Sequence, residues 1–385
     1  MHKTSMDIVS GAAGKVLKAS TGYNFFVPNN LPPNFEWTID LVNSLSKADH
    51  VLGQLSREGA GLPNPHLLIR PFIAKEAVLS SKIEGTQATL GEILADEVGS
   101  VVHKSPDDLQ EVQNYIRALN CGLSRLESLP LSMRLIKEIH AELMQGVRGN
   151  ATPGELRRTQ NWIGVPGCTL NTAKYVPPAP DDMIEALNKF EIFLHDRTLP
   201  PLVHIALCHY QFEAIHPFLD GNGRAGRLLI TLLLIERKIL AAPLLYLSAF
   251  FEATQNEYYK QLYNVSAFGT WHDWLTYFLN GVAIQSVDVL SRAERINNLL
   301  QEWRAMTVGS SSSALHAIIT HFSVNPFLTV NKIAAHLNVA FTTVQRAVNK
   351  LEALGIIEQT TPGKRDRVYC AKKIMDILEE PLILS

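Results

Sequence analysis

The sequence predicts a mainly α protein: a helical core carrying one short β-hairpin, followed by a C-terminal winged helix-turn-helix domain. Two observations predict the core. Apolar residues recur at helical spacing from Pro71 to about Met306, and one Gly-, Pro- and Asn-rich stretch at 153–180 interrupts them and reads as a long loop or short hairpin. A third observation predicts the C-terminal domain, where two short amphipathic helices and two β-favouring segments follow in close order between 329 and 369.

The elements follow in order. The first sixty residues carry Pro-rich punctuation, FFVPNNLPPNF, and then a polar helix-like stretch at 39–55. Helical segments follow as IAKEAVLSSKIEG, DLQEVQNYIRALNCGLSRLESL and SMRLIKEIHAELMQGV. Helical spacing resumes at Asp182 after the 153–180 interruption. Residues 309–313, Gly followed by four Ser, read as a flexible linker.

The chain has 385 residues, room for two or three domains of ordinary size, and 46% apolar against 19% charged residues is normal for a soluble globular protein. A net charge of −2 excludes a strong whole-protein field toward nucleic acid or anionic membrane. The first twenty residues lack an apolar secretory core, and the longest apolar run, 228–235, is far short of a membrane span. Cys121, Cys168, Cys208 and Cys370 are scattered, which argues against a zinc ribbon or disulfide framework and fits a reducing cytoplasm. No membrane partner is expected.

The informative stretch is Phe212-Glu-Ala-Ile-His216-Pro-Phe-Leu-Asp220-Gly-Asn222-Gly-Arg224-Ala-Gly-Arg227. Pro217 disfavours helix at His216, so one helix ends there and an apolar one begins after the Gly-Asn-Gly. Gly221 and Gly223 permit backbone angles that converge N–H groups on an anion. Arg224 and Arg227, three apart, are expected on one face at the positive end of the second helix. Two cations are disfavoured there by roughly 0.3–1 kcal/mol each unless a polyanion is their partner. Gly226, another unfavourable helix residue, fits the same explanation. The spacing Gly221-x-Gly223-x-x-Gly226 also matches a dinucleotide fingerprint. That reading needs a preceding strand and an acidic residue about twenty positions on, and neither is present.

These residues resemble the Fic signature, H-P-F-x-[D/E]-G-N-G-R-x-x-R, at every defining position. The resemblance extends through most of 20–290, with FVPNNLPP, Pro153-Gly-Glu-Leu-Arg157, Tyr175-Val-Pro-Pro and Tyr258-Tyr259. It implies a protein adenylyltransferase, which moves AMP from ATP to a Ser, Thr or Tyr hydroxyl. His216 is then the general base, and Asp220 holds Mg²⁺. Gly221 and Gly223 cradle the phosphates, and Asn222, Arg224 and Arg227 stabilise their charge. Tyr258 and Tyr259 are expected near adenine, with plain core packing the alternative. Residues 167–178 resemble the family's flap, which holds the target protein by main-chain hydrogen bonds.

Ser80-x-x-x-Glu84-Gly85 resembles the family's inhibitory motif, [S/T]-x-x-x-E-[G/N], placed before the core. It implies an ion pair between Glu84 and Arg227 in the place of the γ-phosphate. In some relatives the same glutamate serves the reverse reaction, hydrolysis of the AMP–protein bond.

In the C-terminal domain, residues 329–337 and the helix after 341 form the helix-turn-helix, with Thr342 or Thr343 as the expected cap. Val344, Ala347, Val348, Leu351 and Leu354 make the buried stripe. Gln345, Arg346, Asn349 and Lys350 face outward as candidate DNA contacts. Residues 356–359 and 367–369 read as a two-stranded wing. Between 311 and 385 there are eight Lys and Arg against six Asp and Glu, a weak excess that leaves protein contact as the alternative to DNA.

The expected division is an N-terminal helical region with the inhibitory helix at 1–110 and a Fic core at 111–290. A helix and linker at 291–313 then lead to the winged helix at 314–385. The rival function is a DNA-binding regulator using the core as a nucleotide sensor. Relatives also transfer phosphate, UMP or phosphocholine. A homodimer is left open.

Overall fold

The computed structural model describes residues 8, 10–11, 13–61, 65–100, 106–147, 152–165, 167–308, 313–363 and 366–384. Most of the expected 309–313 linker, and residues 364–365 of the expected wing, lie outside the described residues.

The fold is mostly helical, and its regular hairpin lies at the start of the chain. Strands β1 (Gly14–Lys18) and β2 (Asn24–Pro28) pair antiparallel with Val16 opposite Phe26. Helical periodicity could not reveal it, because the signal is a short run of β-favouring Tyr23, Phe25, Phe26 and Val27. Among its described residues the 153–180 stretch is a loop with one antiparallel bridge, Ile163 to Tyr175, rather than a pair of regular strands. The β1–β2 hairpin braces it instead, for the Phe26 N–H donates to the Val176 carbonyl at 2.9 Å.

Helix α1 (Ile39–Gly61) packs along the long α11 (Trp271–Met306), and Thr38 and His272 share a 2.7 Å hydrogen bond where both helices begin. Helix α2 (Pro65–Ile83) lies against α4 (Pro106–Leu126) and α9 (Ser248–Ala253). Between α2 and α4 sits α3 (Leu90–Glu97), opened by a capping box of Thr89 and Glu92. Helices α5 (Met133–Leu143), α6 (Pro180–Leu194) and α10 (Gln255–Phe268) complete the shell. At the centre are α7 (Pro201–Ile215) and α8 (Asn222–Glu236), buried on nearly every face, as their all-round apolar sequences require. No helix among the described residues is long and apolar enough to cross a membrane.

After α11 comes the winged helix: α12 (Ser313–His321), β3 (Phe327–Thr329), α13 (Val330–Leu337), α14 (Phe341–Ala353), β4 (Glu358–Gln359), β5 (Val368–Cys370) and α15 (Lys372–Glu379). Its sheet has three strands in the order β3-β5-β4, one more than expected. Helix α14 begins at Phe341 behind Ala340, so neither Thr342 nor Thr343 caps it. Val344, Ala347, Val348 and Leu351 are buried, whereas Leu354 is 40% exposed. The domain rests on the core: Lys332 Nζ donates to the Glu97 carbonyl of α3 at 2.6 Å, and Arg295 of α11 pairs with Glu380.

Candidate active site

Pro217 ends α7 at Ile215, and His216 takes φ 51°, a left-handed conformation sparsely used by non-glycine residues. The surroundings over-determine it. The His216 carbonyl accepts from Arg157 Nε at 3.0 Å, and the Arg157 N–H donates to the Pro217 carbonyl at 3.0 Å. Arg157, 2% exposed, also donates to the Pro178 carbonyl, tying the flap's stem to the histidine loop. Imidazole Nδ1 lies 3.3 Å from the Glu213 carbonyl, which can only accept, so the proton sits on Nδ1 and Nε2 keeps its lone pair. Burial lowers the His216 pKa to about 4, so the ring is neutral at pH 7.

The next turn opens α8. Gly221 has φ 75°, and the first helical bond runs from the Ala225 N–H to the Gly221 carbonyl. The N–H groups of Asn222, Gly223 and Arg224 therefore precede the helical ladder, the geometry of an anion site. Asn222 departs from its expected role at phosphate. Its amide accepts from the Phe218 N–H and donates to the Phe218 carbonyl, both at 2.8 Å, so the side chain staples the loop. His140 is a second staple that sequence reasoning missed. It accepts from the Gly154 N–H at Nδ1, bonds the Asp220 carbonyl through Nε2 at 2.9 Å, and stacks on Phe218.

The two arginines diverge rather than sharing a face. Arg224 Nη1 meets Glu111 Oε2 of α4 at 2.9 Å. Arg227 turns to α2, where Nε donates to Ser80 Oγ at 2.8 Å and Nη2 donates to the Ser80 carbonyl at 2.9 Å and Glu84 Oε1 at 2.6 Å. Burial works against the Glu84 charge, but the Arg227 charge and hydrogen bond outweigh it, and the carboxyl titrates below its usual range. A Cβ at Gly223 would lie 2.3 Å from Glu84 Oε1, so glycine there lets the carboxylate reach the mouth of α8. Gly226 has a different reason from the one expected: a Cβ would lie 2.3 Å from Glu213 Oε1 and 3.2 Å from the Phe212 ring, so it serves α7–α8 packing.

A cavity of about 580 Å³ joins these groups. His216, Gly223, Arg227, Glu84 and Glu213 line it, together with Tyr258, Tyr259, and Trp162, Ile163 and Lys174 of the flap region. Asp220, Gly221, Asn222 and Arg224 are not part of its wall. Tyr258 is buried, bonds His209 Nε2 at 2.8 Å and stacks on Phe251, so its hydroxyl belongs to the core; Tyr259 is 43% exposed. Glu213 is a residue that sequence reasoning missed. Its Oε1 is buried without a hydrogen-bond partner, and burial raises its pKa to about 7, against the pull of Arg227. The available signal was a lone carboxylate in an otherwise apolar helical turn.

Among the described residues no cluster of three or more His, Cys, Asp or Glu could cage a metal ion. Mg²⁺ binds chiefly through phosphate and water with one or two carboxylates. Asp220 fits: its side chain is 60% exposed, with Oδ1 accepting the Gly221 N–H and lying 3.9 Å from Arg224 Nη2.

Residues 42–124 match the family model described as Fic/DOC family N-terminal, 130–234 the Fic/DOC family, and 314–358 winged helix-turn-helix DNA-binding. The chain is similar to protein adenylyltransferase Fic of Drosophila yakuba, 33% identical over 163 residues, 40% of this chain and 30% of that protein. It is 34% identical over 165 residues to protein adenylyltransferase fic-1 of Caenorhabditis briggsae, with the same coverage. The chain thus spans about 30% of the length of these curated relatives. In fold it resembles a Fic family protein from Desulfovibrio desulfuricans G20, with TM-score 0.61, 23% identity, and coverage of 89% of this chain and 98% of that one. It also resembles Fic-1 of C. elegans, with TM-score 0.52, 24% identity, and coverage of 66% and 74%.

Proposed function

The chain carries a Fic N-terminal region, a Fic domain and a C-terminal winged helix, and from that premise we propose that it is a protein adenylyltransferase restrained in cis by Glu84. One observation carries the reading: a carboxylate sits on the arginine at the mouth of α8, in the same cavity as a histidine whose Nε2 is unprotonated.

ATP would enter with its triphosphate toward the N–H groups that open α8 and its base toward Tyr258 and Tyr259. The target hydroxyl, held at the 167–178 flap, gives its proton to His216 Nε2 as its oxygen bonds the α-phosphorus. The bond from that phosphorus to pyrophosphate breaks, and pyrophosphate leaves. A positioned base of this kind contributes about 10²–10⁴-fold. Mg²⁺, held by Asp220 with the phosphate oxygens, would supply charge neutralisation. Arg227 would grip the γ-phosphate once Glu84 leaves it, while Arg224, paired with Glu111, shapes the field from the side.

Incubation with ATP, Mg²⁺ and a target protein, read by mass spectrometry, tests this. A mass increment of one AMP that disappears in His216→Ala is expected; its persistence in that variant refutes the base assignment. The exposed Arg346, Asn349 and Lys350 on α14 favour DNA as an additional partner of the winged helix.

A further inference from the structure

Helix α2 sets Glu76, Ser80 and Glu84 four residues apart, along one face running off the helix end. Glu84 reaches the cavity, whereas Glu76 and Ser80 are 2% and 0% exposed and do not line it. A carboxylate taken from water costs several kcal/mol unless donors surround it. Glu76 has three: Tyr115 Oη of α4 at 2.9 Å, the Ser248 N–H at 3.2 Å and the Ser248 hydroxyl. Every contact presents a donor, which matches the acceptor-only ionised carboxylate. Burial raises its pKa on balance, and these donors together with the Arg227 charge offset only part of that rise.

The Ser80 side chain also acts on the Tyr115 hydroxyl, working against the upward push of burial on its pKa, and Ser80 Oγ accepts from Arg227 Nε at 2.8 Å. Donor chemistry gives this series a direction. A guanidinium only donates, so Ser80 Oγ receives that hydrogen bond and its own hydrogen is free to turn toward Tyr115, whose hydroxyl donates to Glu76. The chain starts on a buried cation and ends on a buried anion. Arg227 is 2% exposed. If Glu84 leaves, the guanidinium loses its direct partner but remains out of water.

Resting on the reading that Arg227 holds the nucleotide's phosphate tail, we propose that Glu76 and Tyr115 are positioning residues for Arg227. They act through Ser80 as a permanent anchor that nucleotide entry does not displace. Glu84 is the removable partner and Glu76 the resident one. The anchor keeps the guanidinium charged and aimed while the cavity changes occupant.

The test uses the full chain in a Glu84→Gly background, where the removable partner is absent. ATP dissociation constants come from calorimetry, and kcat and KM from AMP incorporation. Tyr115→Phe deletes one oxygen and breaks the chain; Glu76→Gln removes the terminal charge. Each is expected to raise the ATP Kd and KM about tenfold, the scale of one charged hydrogen bond. The KM for the target and kcat at saturating ATP should stay within about twofold, since only the grip on ATP is altered. Addition of Tyr115→Phe to Arg227→Ala should change nothing further. A lowered Tm with an unaltered ATP Kd in both variants overturns the proposal, because packing alone would then explain the cluster. An Arg227→Ala variant that binds ATP normally would instead overturn the phosphate reading beneath it.

Discussion

Glu84→Gly isolates the restraint. In the wild-type chain Glu84 Oε1 sits 2.6 Å from Arg227 Nη2 and at the mouth of α8. On the proposed reading, ATP takes the productive pose only after that bond is broken. A charge-assisted hydrogen bond contributes about 1.5–3 kcal/mol; with 35% of the Glu84 side chain exposed, solvent screening argues for the lower end, about 1.5–2 kcal/mol. The competent population should then rise about 10- to 30-fold on substitution. Glycine at this position, just past the last residue of α2, should cost the helix little. The assay is incorporation of AMP from labelled ATP, with circular dichroism to show that the variant is folded. A folded variant whose incorporation rises less than about twofold would refute the argument, because the ion pair would then not gate the pose.

Three further outcomes are expected. Asn222→Ala removes two hydrogen bonds from the buried Phe218 backbone, so stability should fall by about 2–4 kcal/mol in denaturant titration and kcat should fall with it, as His216 is two residues away. Glu213→Gln should stabilise the fold increasingly as pH rises. The folded pKa of Glu213 lies above the usual 4.5, at about 7, so its contribution is full below 4.5 and lost as pH climbs through 7. Gln does not titrate, so the variant's unfolding free energy should gain on wild type between pH 5 and 8 by at most about 3 kcal/mol, read by denaturant titration; parallel pH profiles would refute the burial argument. Duplex DNA should bind the winged helix with a salt dependence reduced in Lys350→Ala by about one counterion; salt-independent binding, or none, would favour protein contact.

Much of the site was legible in the linear chain because its parts are local. Pro217 had to end one helix, Gly221 had to permit a left-handed turn, and the α8 N–H groups had to follow, all within a dozen residues. The spacing of Ser80 and Glu84 likewise put both on one helical face. The hairpin of β1 and β2 escaped notice although its pairing is local, because each strand has only five residues; its bond to the flap at Val176, some 150 positions on, left no local signal at all.

What the sequence alone determined was therefore a set of backbone conformations and helix faces, which depend on neighbours a few residues apart. The tertiary structure alone decided what each charge touches. Arg224 and Arg227, three apart, go to Glu111 and to Ser80 with Glu84, because α4 and α2 approach α8 from different sides. Asn222 turns inward to Phe218, Glu213 keeps its Oε1 out of water, and Glu76 becomes a buried carboxylate. Partner choice among ionic groups depends on the direction and desolvation of each contact, and both are set by packing between segments that are remote along the chain.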